Sequence, residues 1–282
     1  VDFYSKAGIL AGEHRPFAVA TVVRVQGSSS AKPGSKAIID AQGGILMGWV
    51  GGGCAESAVR SEAVKCIRSE KPVLITLDMQ DELFGVGMPC GGMMDVYIEP
   101  VLPQPELVIA GYGRIAETLA SLGSLMNFSV TVHDPSADCK NFPQADRVIT
   151  RDFDVQEVSF GPRTFVVIAT LNKNDHLWLQ RALQGEAAYV ALVASAHRSR
   201  LVLDYLLAEG VAQERVESVW APAGLDLGAA SPEEIALSIM SQIVTLRRGG
   251  GVAPLKQKIS SAGDTTAATD KVIRQCEAGN NL

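Results

Sequence analysis

The sequence predicts an α/β protein of two domains: an N-terminal mixed α/β domain, then a domain built on a parallel sheet. Three observations predict it. From Leu107 onward, short apolar runs alternate with helical stretches, the order that gives a parallel sheet covered by helices. A G-x-G-x-x-A turn, Gly111-Tyr-Gly113-Arg-Ile-Ala116, follows the first of those runs and enters a helix, which makes the second domain Rossmann-like. A proline-rich connector, Pro100-Val-Leu-Pro103-Gln-Pro105, separates the two patterns. Proline cannot donate to a sheet ladder and stiffens a linker. The predicted boundaries are 1–102, 106–248 and a C-terminal tail, 249–282.

The elements follow in order. Phe17 to Val25 is a β-branched run and reads as a buried strand. Lys36 to Asp40 and Ile45 to Val50 flank Ala41-Gln-Gly-Gly44, the pattern of a hairpin. Glu56 to Arg68 places Val59, Ala63 and Ile67 at helical spacing with charges between them. Pro72 to Leu77 and Met94 to Ile98 read as further strands. In the second domain the predicted strands are Leu107 to Ala110, Phe128 to Val132, Phe165 to Ala169 and Tyr189 to Ala194. The predicted helices are Arg114 to Leu125, Asp175 to Leu183, Arg198 to Leu207 and Pro232 to Arg247. Ser231-Pro232-Glu233-Glu234 is a helix start, with an N-cap serine, an early proline and acids at the positive helix end. After Gly249 the chain turns polar, and a short helix near Asp270 to Cys276, docked on the body or a neighbouring chain, is expected there.

Composition bounds the function. The 282 residues match two domains at roughly 150 residues each. With 47% hydrophobic and 20% charged residues, a sizeable core can form. A net charge of -6 argues against a nucleic-acid binder, which shows a basic stripe. No run of about 18 apolar residues exists, so no membrane span is expected. The first twenty residues lack a basic start followed by an apolar stretch, so no secretion signal is expected. The five cysteines, Cys54, Cys66, Cys90, Cys139 and Cys276, are odd in number and form no CxxC pair. That disfavours a disulfide framework or a structural zinc site and points to reduced thiols in the cytoplasm.

The 27 glycines cluster, and the clusters mark the candidate sites. In the second domain Gly111 allows a tight turn, Gly113 lets a pyrophosphate approach the backbone, and Ala116 permits close helix packing. N–H groups at the helix start, beside Arg114, favour an anion. Asp134 ends the next strand, where an acid accepts hydrogen bonds from a ribose 2′-OH. The same glycines would also serve a unit that binds nothing and merely packs helix on strand.

In the first domain Gly51-Gly52-Gly53-Cys54 lies between a strand and a helix. Three glycines leave backbone N–H groups bare, an anion nest, and a thiolate at a helix start is stabilised by the helix dipole. The plain alternative is a small buried cysteine in a crowded turn. Cys90 sits in a second such loop, Gly87-Met-Pro-Cys90-Gly-Gly92. Two cysteines in glycine loops of one small domain suggest a shared site, where soft thiolates hold a soft metal or receive sulfur. Gly27-Ser28-Ser29-Ser-Ala-Lys32-Pro-Gly34 offers hydroxyls and one lysine to a phosphate, or is an ordinary solvated loop. His14, His133, His176 and His197 lack metal-ligand spacing and read as surface or supporting residues. Neither a GxxxxGK[ST] loop nor a G-x-S-x-G elbow occurs.

At these residues the sequence resembles the XdhC/CoxI family, the maturation factors of xanthine dehydrogenase and carbon monoxide dehydrogenase. The resemblance rests on the three glycine loops of the first domain. In the second it rests on Gly111-Tyr-Gly-Arg114, Asp134-Pro135, Ala221-Pro-Ala-Gly-Leu-Asp-Leu-Gly228 and Ser231 to Ile239. It extends to about Gly249. Two departures stand out. Family members often carry a Thr-His pair and a following Asp after the fourth strand, whereas Thr170-Leu-Asn-Lys-Asn-Asp175 keeps only the Thr and the Asp. Where a Gly-Ser-Arg turn is common, this chain reads Ala194-Ser-Ala-His-Arg198.

The resemblance implies a cofactor chaperone without turnover of its own. It would bind the molybdenum cofactor (molybdopterin or its dinucleotide form), protect it while a cysteine desulfurase supplies sulfur, and pass it to a molybdenum hydroxylase. Cys54 and Cys90 would contact the metal end. Gly51, Gly52 and Gly53 with Ser28, Ser29 and Lys32 would cradle the anionic part. Gly111, Gly113, Arg114 and Asp134 would hold a nucleotide portion, or that domain would serve as a docking and homodimer surface. Two alternatives start from the residues alone. One is an NAD(P)-dependent oxidoreductase, which explains the second domain but leaves the cysteine loops without a role. The other is a redox sensor with a reversible Cys54–Cys90 disulfide.

Overall fold

A computed structural model describes residues 2–27, 29–78, 92–151, 160–171 and 173–254. The chain divides into two compact units, Val1–Gln104 and Pro105–Leu282.

The first unit is an antiparallel sheet with a helix on each face. Its strands are β1 (Phe17–Gly27), β2 (Lys36–Asp40), β3 (Ile45–Gly48), β4 (Val73–Asp78) and β5 (Gly92–Val101), in the order β3-β2-β1-β5-β4. The β2–β3 hairpin is set by Asp40, whose Oδ1 accepts the N–H groups of Gln42 (3.0 Å) and Gly44 (2.6 Å). An aspartate that bonds the backbone two residues on closes such a turn. Helix α2 (Gly53–Ser69) covers one face. It buries Val59, Ala63, Cys66 and Ile67 against Ala18, Ala20, Val22, Met94 and Val96. Cys66 is buried and its Sγ donates to the Lys71 carbonyl at 3.0 Å, a structural position.

Helix α1 (Phe3–Gly12), which no sequence pattern announces, packs Leu10 on Phe17 and Ile38 of the opposite face. Its N-cap Asp2 accepts the Ser5 N–H at 3.0 Å. Pro100, expected in the connector, lies within β5, opposite Ala18. The pairing of β4 with β5 stops at Ile98, so the flank beyond is open and a missing N–H breaks no ladder bond. A bulge at Val23 interrupts the β1–β5 register between Val22 and Arg24.

The second unit is a wholly parallel sheet of β6 (Glu106–Gly111), β7 (Ser129–His133), β8 (Arg147–Ile149), β9 (Thr164–Ala169) and β10 (Tyr189–Leu192). The spatial order β10-β9-β6-β7-β8 is that of a doubly wound sheet whose direction reverses between β6 and β9. A bridge between Ala191 and Trp220 extends it beyond β10. Alternate residues of β6 feed two cores, as expected of a strand covered on both faces. Leu107 and Ile109 pack under α3 (Arg114–Leu125) and α7 (Pro232–Arg248). Val108 and Ala110 pack under α4 (Asp175–Gln184), α5 (Ala196–Ala208) and the short α6 (Gln213–Glu217).

Helix α7 carries the predicted start in full: Ser231 and Glu234 form a reciprocal capping box with Pro232 in the first turn. Buried Gln242 accepts from the Tyr189 hydroxyl (2.5 Å) and the Gly224 N–H (2.9 Å), and so ties the Ala221–Gly228 segment to α7 and β10. The helix expected near Asp270 to Cys276 lies outside the described residues. Among the described residues no helix is long and apolar enough to cross a membrane.

Candidate functional site

Gly27, Gly51 and Gly92, described residues of the three glycine loops of the first unit, lie toward one end of its sheet. Gly27, the last residue of β1, pairs with Gly92, the first residue of β5. Cys90 stands two residues before Gly92 in the sequence and itself lies outside the described residues, as does Ser28. Gly51 is buried, and a side chain there would meet the end of Met94, two residues into β5, at 3.7 Å. Gly52 is the N-cap of α2 and bears no side-chain cap; Gly52 and Gly53 are exposed. Cys54 is in the first turn of α2, and its side chain lies outside the described residues.

The first N–H groups of a helix have no partner within it, so an uncapped, exposed, glycine-lined start suits an anion. Ser29 is half-buried and Lys32 exposed in the loop between β1 and β2. That loop is held by Ser35, whose Oγ accepts the Lys32 N–H at 3.2 Å. Among the described residues no group of three or more His, Cys, Asp or Glu side chains is gathered for a metal ion. The backbone nest at Gly52 and Gly53 suits an anionic group.

In the second unit both fingerprint glycines have a physical reason. Gly111 has φ +130°, and a Cβ there would lie 2.1 Å from the Ala169 carbonyl, so β6 and β9 approach as closely as glycine permits. Gly113 has φ +92°, and a Cβ there would meet nothing within 4 Å. Its glycine thus leaves open space at the uncapped start of α3. Arg114, the first residue of α3, pairs with two acids: its Nε lies 2.6 Å from Glu233 of α7, and a second nitrogen lies 3.7 Å from Glu117. The two partners push each other's ionisation in the charged direction, Arg114 upward and Glu233 downward, mainly through that hydrogen bond.

Beside this turn is a cavity of about 280 Å3 at the carboxyl ends of β7 and β9. Asp134 lines it and is nearly buried, with Oδ1 fixed by the Ser136 N–H at 2.7 Å. Of the two readings of the histidines, surface or supporting, His133 takes the second: it is buried at the end of β7, in edge-to-face contact with Trp178 at 4.9 Å. Lys173 and Asn174 stand at the rim. The predicted strand ends at Val132, one residue short, which hides His133. The loop from Thr170 to Asn174 bends through two left-handed non-glycine residues, Leu171 (φ 54°) and Asn174 (φ 60°), which no motif announces. It is pinned by Asp175, which accepts from the Thr170 hydroxyl and pairs with Arg198 at 2.9 Å. The two segments that depart from the family pattern therefore touch each other.

Comparison with known proteins gives the following. A model described as the XdhC and CoxI family matches residues 10–78, and one described as the XdhC Rossmann domain matches residues 107–243. Protein YqeB of Escherichia coli (strain K12), described as uncharacterized, is 30% identical over 254 residues, 88% of this chain and 46% of YqeB. A Bacillus subtilis (strain 168) protein, described as a probable xanthine dehydrogenase subunit, is 30% identical over 160 residues, 55% of this chain and 46% of that protein. The chain thus spans less than half the length of either curated relative. A crystal structure of a xanthine dehydrogenase from Bacillus halodurans superposes with a TM-score of 0.47 at 23% identity, over 88% of this chain and 96% of that one.

Proposed function

The chain belongs to the XdhC and CoxI family, and from that premise we propose that it is an accessory protein of a xanthine dehydrogenase-class molybdenum hydroxylase. It holds the molybdenum cofactor, supports its sulfuration and delivers it to the target enzyme. The observation that supports this reading best is the pairing of Gly27 with Gly92, together with the approach of Gly51 to Met94. It draws the sequence neighbourhoods of Ser28–Lys32, Gly51–Cys54 and Cys90 to one sheet end.

In this reading the N–H groups of Gly52, Gly53 and Cys54 hold the anionic part of the cofactor, and Ser28, Ser29 and Lys32 add hydroxyls and a positive charge. Cys54 and Cys90 flank its metal end, where soft thiolates suit molybdenum. The bound cofactor supplies a molybdenum–dithiolene centre, and the protein's part is to bind it and exclude water. A cysteine desulfurase is the sulfur source, and the second unit takes a nucleotide portion at Gly111, Gly113 and Asp134. The protein acts in the cytoplasm, as a homodimer.

The test is expression in a host that makes molybdenum cofactor, followed by pterin and molybdenum analysis of the purified chain. Stoichiometric pterin in the wild type, and its loss together with target maturation in a Cys54→Ala, Cys90→Ala variant, is the expected result. A variant that binds and matures normally would remove the cysteines from the mechanism. The nicotinamide-oxidoreductase alternative makes a different prediction: turnover of a carbonyl substrate with NAD(P)H.

A further inference from the structure

Helix α7 is apolar on two faces. Ala236, Ile239 and Ile243 are buried in the core that it shares with α3, as an amphipathic helix requires. Leu237 and Val244 lie on another face, 52% and 38% exposed, beside an apolar groove of about 420 Å3. Leu122 and Met126 of α3, with Leu227 and Val252, line the same groove. A contiguous apolar surface of this kind marks a place where another surface docks.

The exposed face of α7 is complementary to itself. Glu233, Leu237, Ser241, Val244 and Arg248 follow one another at steps of three or four residues, so they form one line along the helix. The ends of the line carry opposite charges, and its middle is small. Other charges nearby are occupied. Glu234 accepts the N–H groups of Ala230 and Ser231, and Arg247 lies over the Phe128 ring at 5.2 Å. Glu233 and Arg248 are exposed. A two-fold axis normal to the helix sets α7 antiparallel to its own copy. Leu237 then meets the partner's Val244, and Glu233 meets the partner's Arg248, because both pairs share one midpoint between Met240 and Ser241. At that midpoint the half-buried Ser241 lets the two helices come as close as about 8–10 Å between axes. A second copy of this chain presents the same order of charge, apolar, small, apolar and charge in reverse, which an unrelated surface has no reason to do. We propose that the exposed face of α7, with the groove beside it, is the interface between two copies of this chain. Apolar contact supplies the affinity, and the Glu233–Arg248 pairs at the rim set direction and register. The proposal rests on the homodimer given above and assigns its surface.

Sedimentation equilibrium of the full chain tests it. The wild type should be a dimer, and Leu237→Asp a monomer with an unchanged circular dichroism spectrum. Glu233→Arg and Arg248→Glu should each weaken dimerisation at least about tenfold, since each sets like charges together at both ends of the interface. Mixed in equal amounts, the two variants should form a heterodimer as tight as the wild type, because both end contacts are again opposite in charge. No gain on mixing overturns the antiparallel pairing. A Leu237→Asp dimer as tight as the wild type overturns the interface but leaves a homodimer built elsewhere, whereas a monomeric wild type overturns both. A wild type that dimerises only once residues 255–282 are removed would give the groove to the chain's own C-terminal segment, and this too overturns the proposal.

Discussion

Asp175 and Arg198 meet at 2.9 Å across the ends of β9 and β10, with the carboxylate only 2% exposed and the guanidinium 38% exposed. Thr170 donates its hydroxyl to the other carboxylate oxygen. One buried acid thus fixes both the loop at the cavity rim and the start of α5. Asp175→Ala removes the acceptor that both Thr170 and Arg198 share and should cost about 2–3 kcal/mol, below the cost for a fully buried pair because Arg198 is partly solvated. Asp175→Asn keeps an acceptor for Thr170 and should cost less. Urea unfolding midpoints measure both.

The fingerprint glycines should separate stability from binding. Gly111→Ala would drive a methyl into the Ala169 carbonyl, so the strands must part, and the thermal midpoint should fall strongly. Gly113→Ala meets no atom and bears only the strain of a backbone region (φ +92°, ψ -176°) that essentially only glycine adopts, about 1–3 kcal/mol. Its methyl occupies the space left open for a pyrophosphate, so nucleotide affinity should fall more than stability does. Calorimetry and thermal melts on the two variants compare them directly.

The Arg114–Glu233 pair lies at the surface, with side chains 67% and 46% exposed. Solvent screens such pairs, so Glu233→Gln should barely move the melting temperature. It leaves the guanidinium only the longer contact with Glu117, and affinity for a diphosphate-bearing nucleotide at the α3 start should rise severalfold. Raising the salt concentration should shrink that gain.

Two carboxylates give stability opposite pH slopes. Hydrogen bonds from Thr76 and Arg24 hold Asp95 below the usual carboxylate range. Its contribution is present above the unfolded value of about 3.9 and is lost as pH falls through the lower folded value. Burial pushes Glu106 up, only partly offset by its bonds from Thr164 and Thr131. Its contribution is full below about 4.3 and is lost as pH rises through the raised folded value. Glu106→Gln should therefore stabilise the protein at neutral pH, and Asp95→Asn should flatten the acid limb of a pH–stability curve.

The second unit was legible wherever one local pattern fixed one element. Helix α3 spans the predicted Arg114 to Leu125 because its start is marked by the glycine turn and its apolar face repeats at helical spacing. Strand β8 escaped because it is three residues long and buries only Ile149. Helix α1 escaped because only Leu10 of its ten residues is fully inside. The glycine loops could be found from composition, but the convergence of their described ends is a matter of sheet register. Lys173 and Asn174 were hidden because they lie in a loop without a motif, whose bends at Leu171 and Asn174 show only in the backbone.

The bulge at Val23 reaches further than its one extra residue. Up to Val22 the even positions of β1 face α2; beyond the bulge Val25 packs on that same core, while Arg24 turns outward to Asp95. A one-residue offset exchanges the two faces of a strand. Without it, Arg24 would enter the apolar layer and Val25 would face water. Gly27, from which the serine–lysine loop departs, would present that loop to the other side of the sheet. Chain length at this point therefore acts as an address label, telling the loop on which side of the sheet to look for its partners.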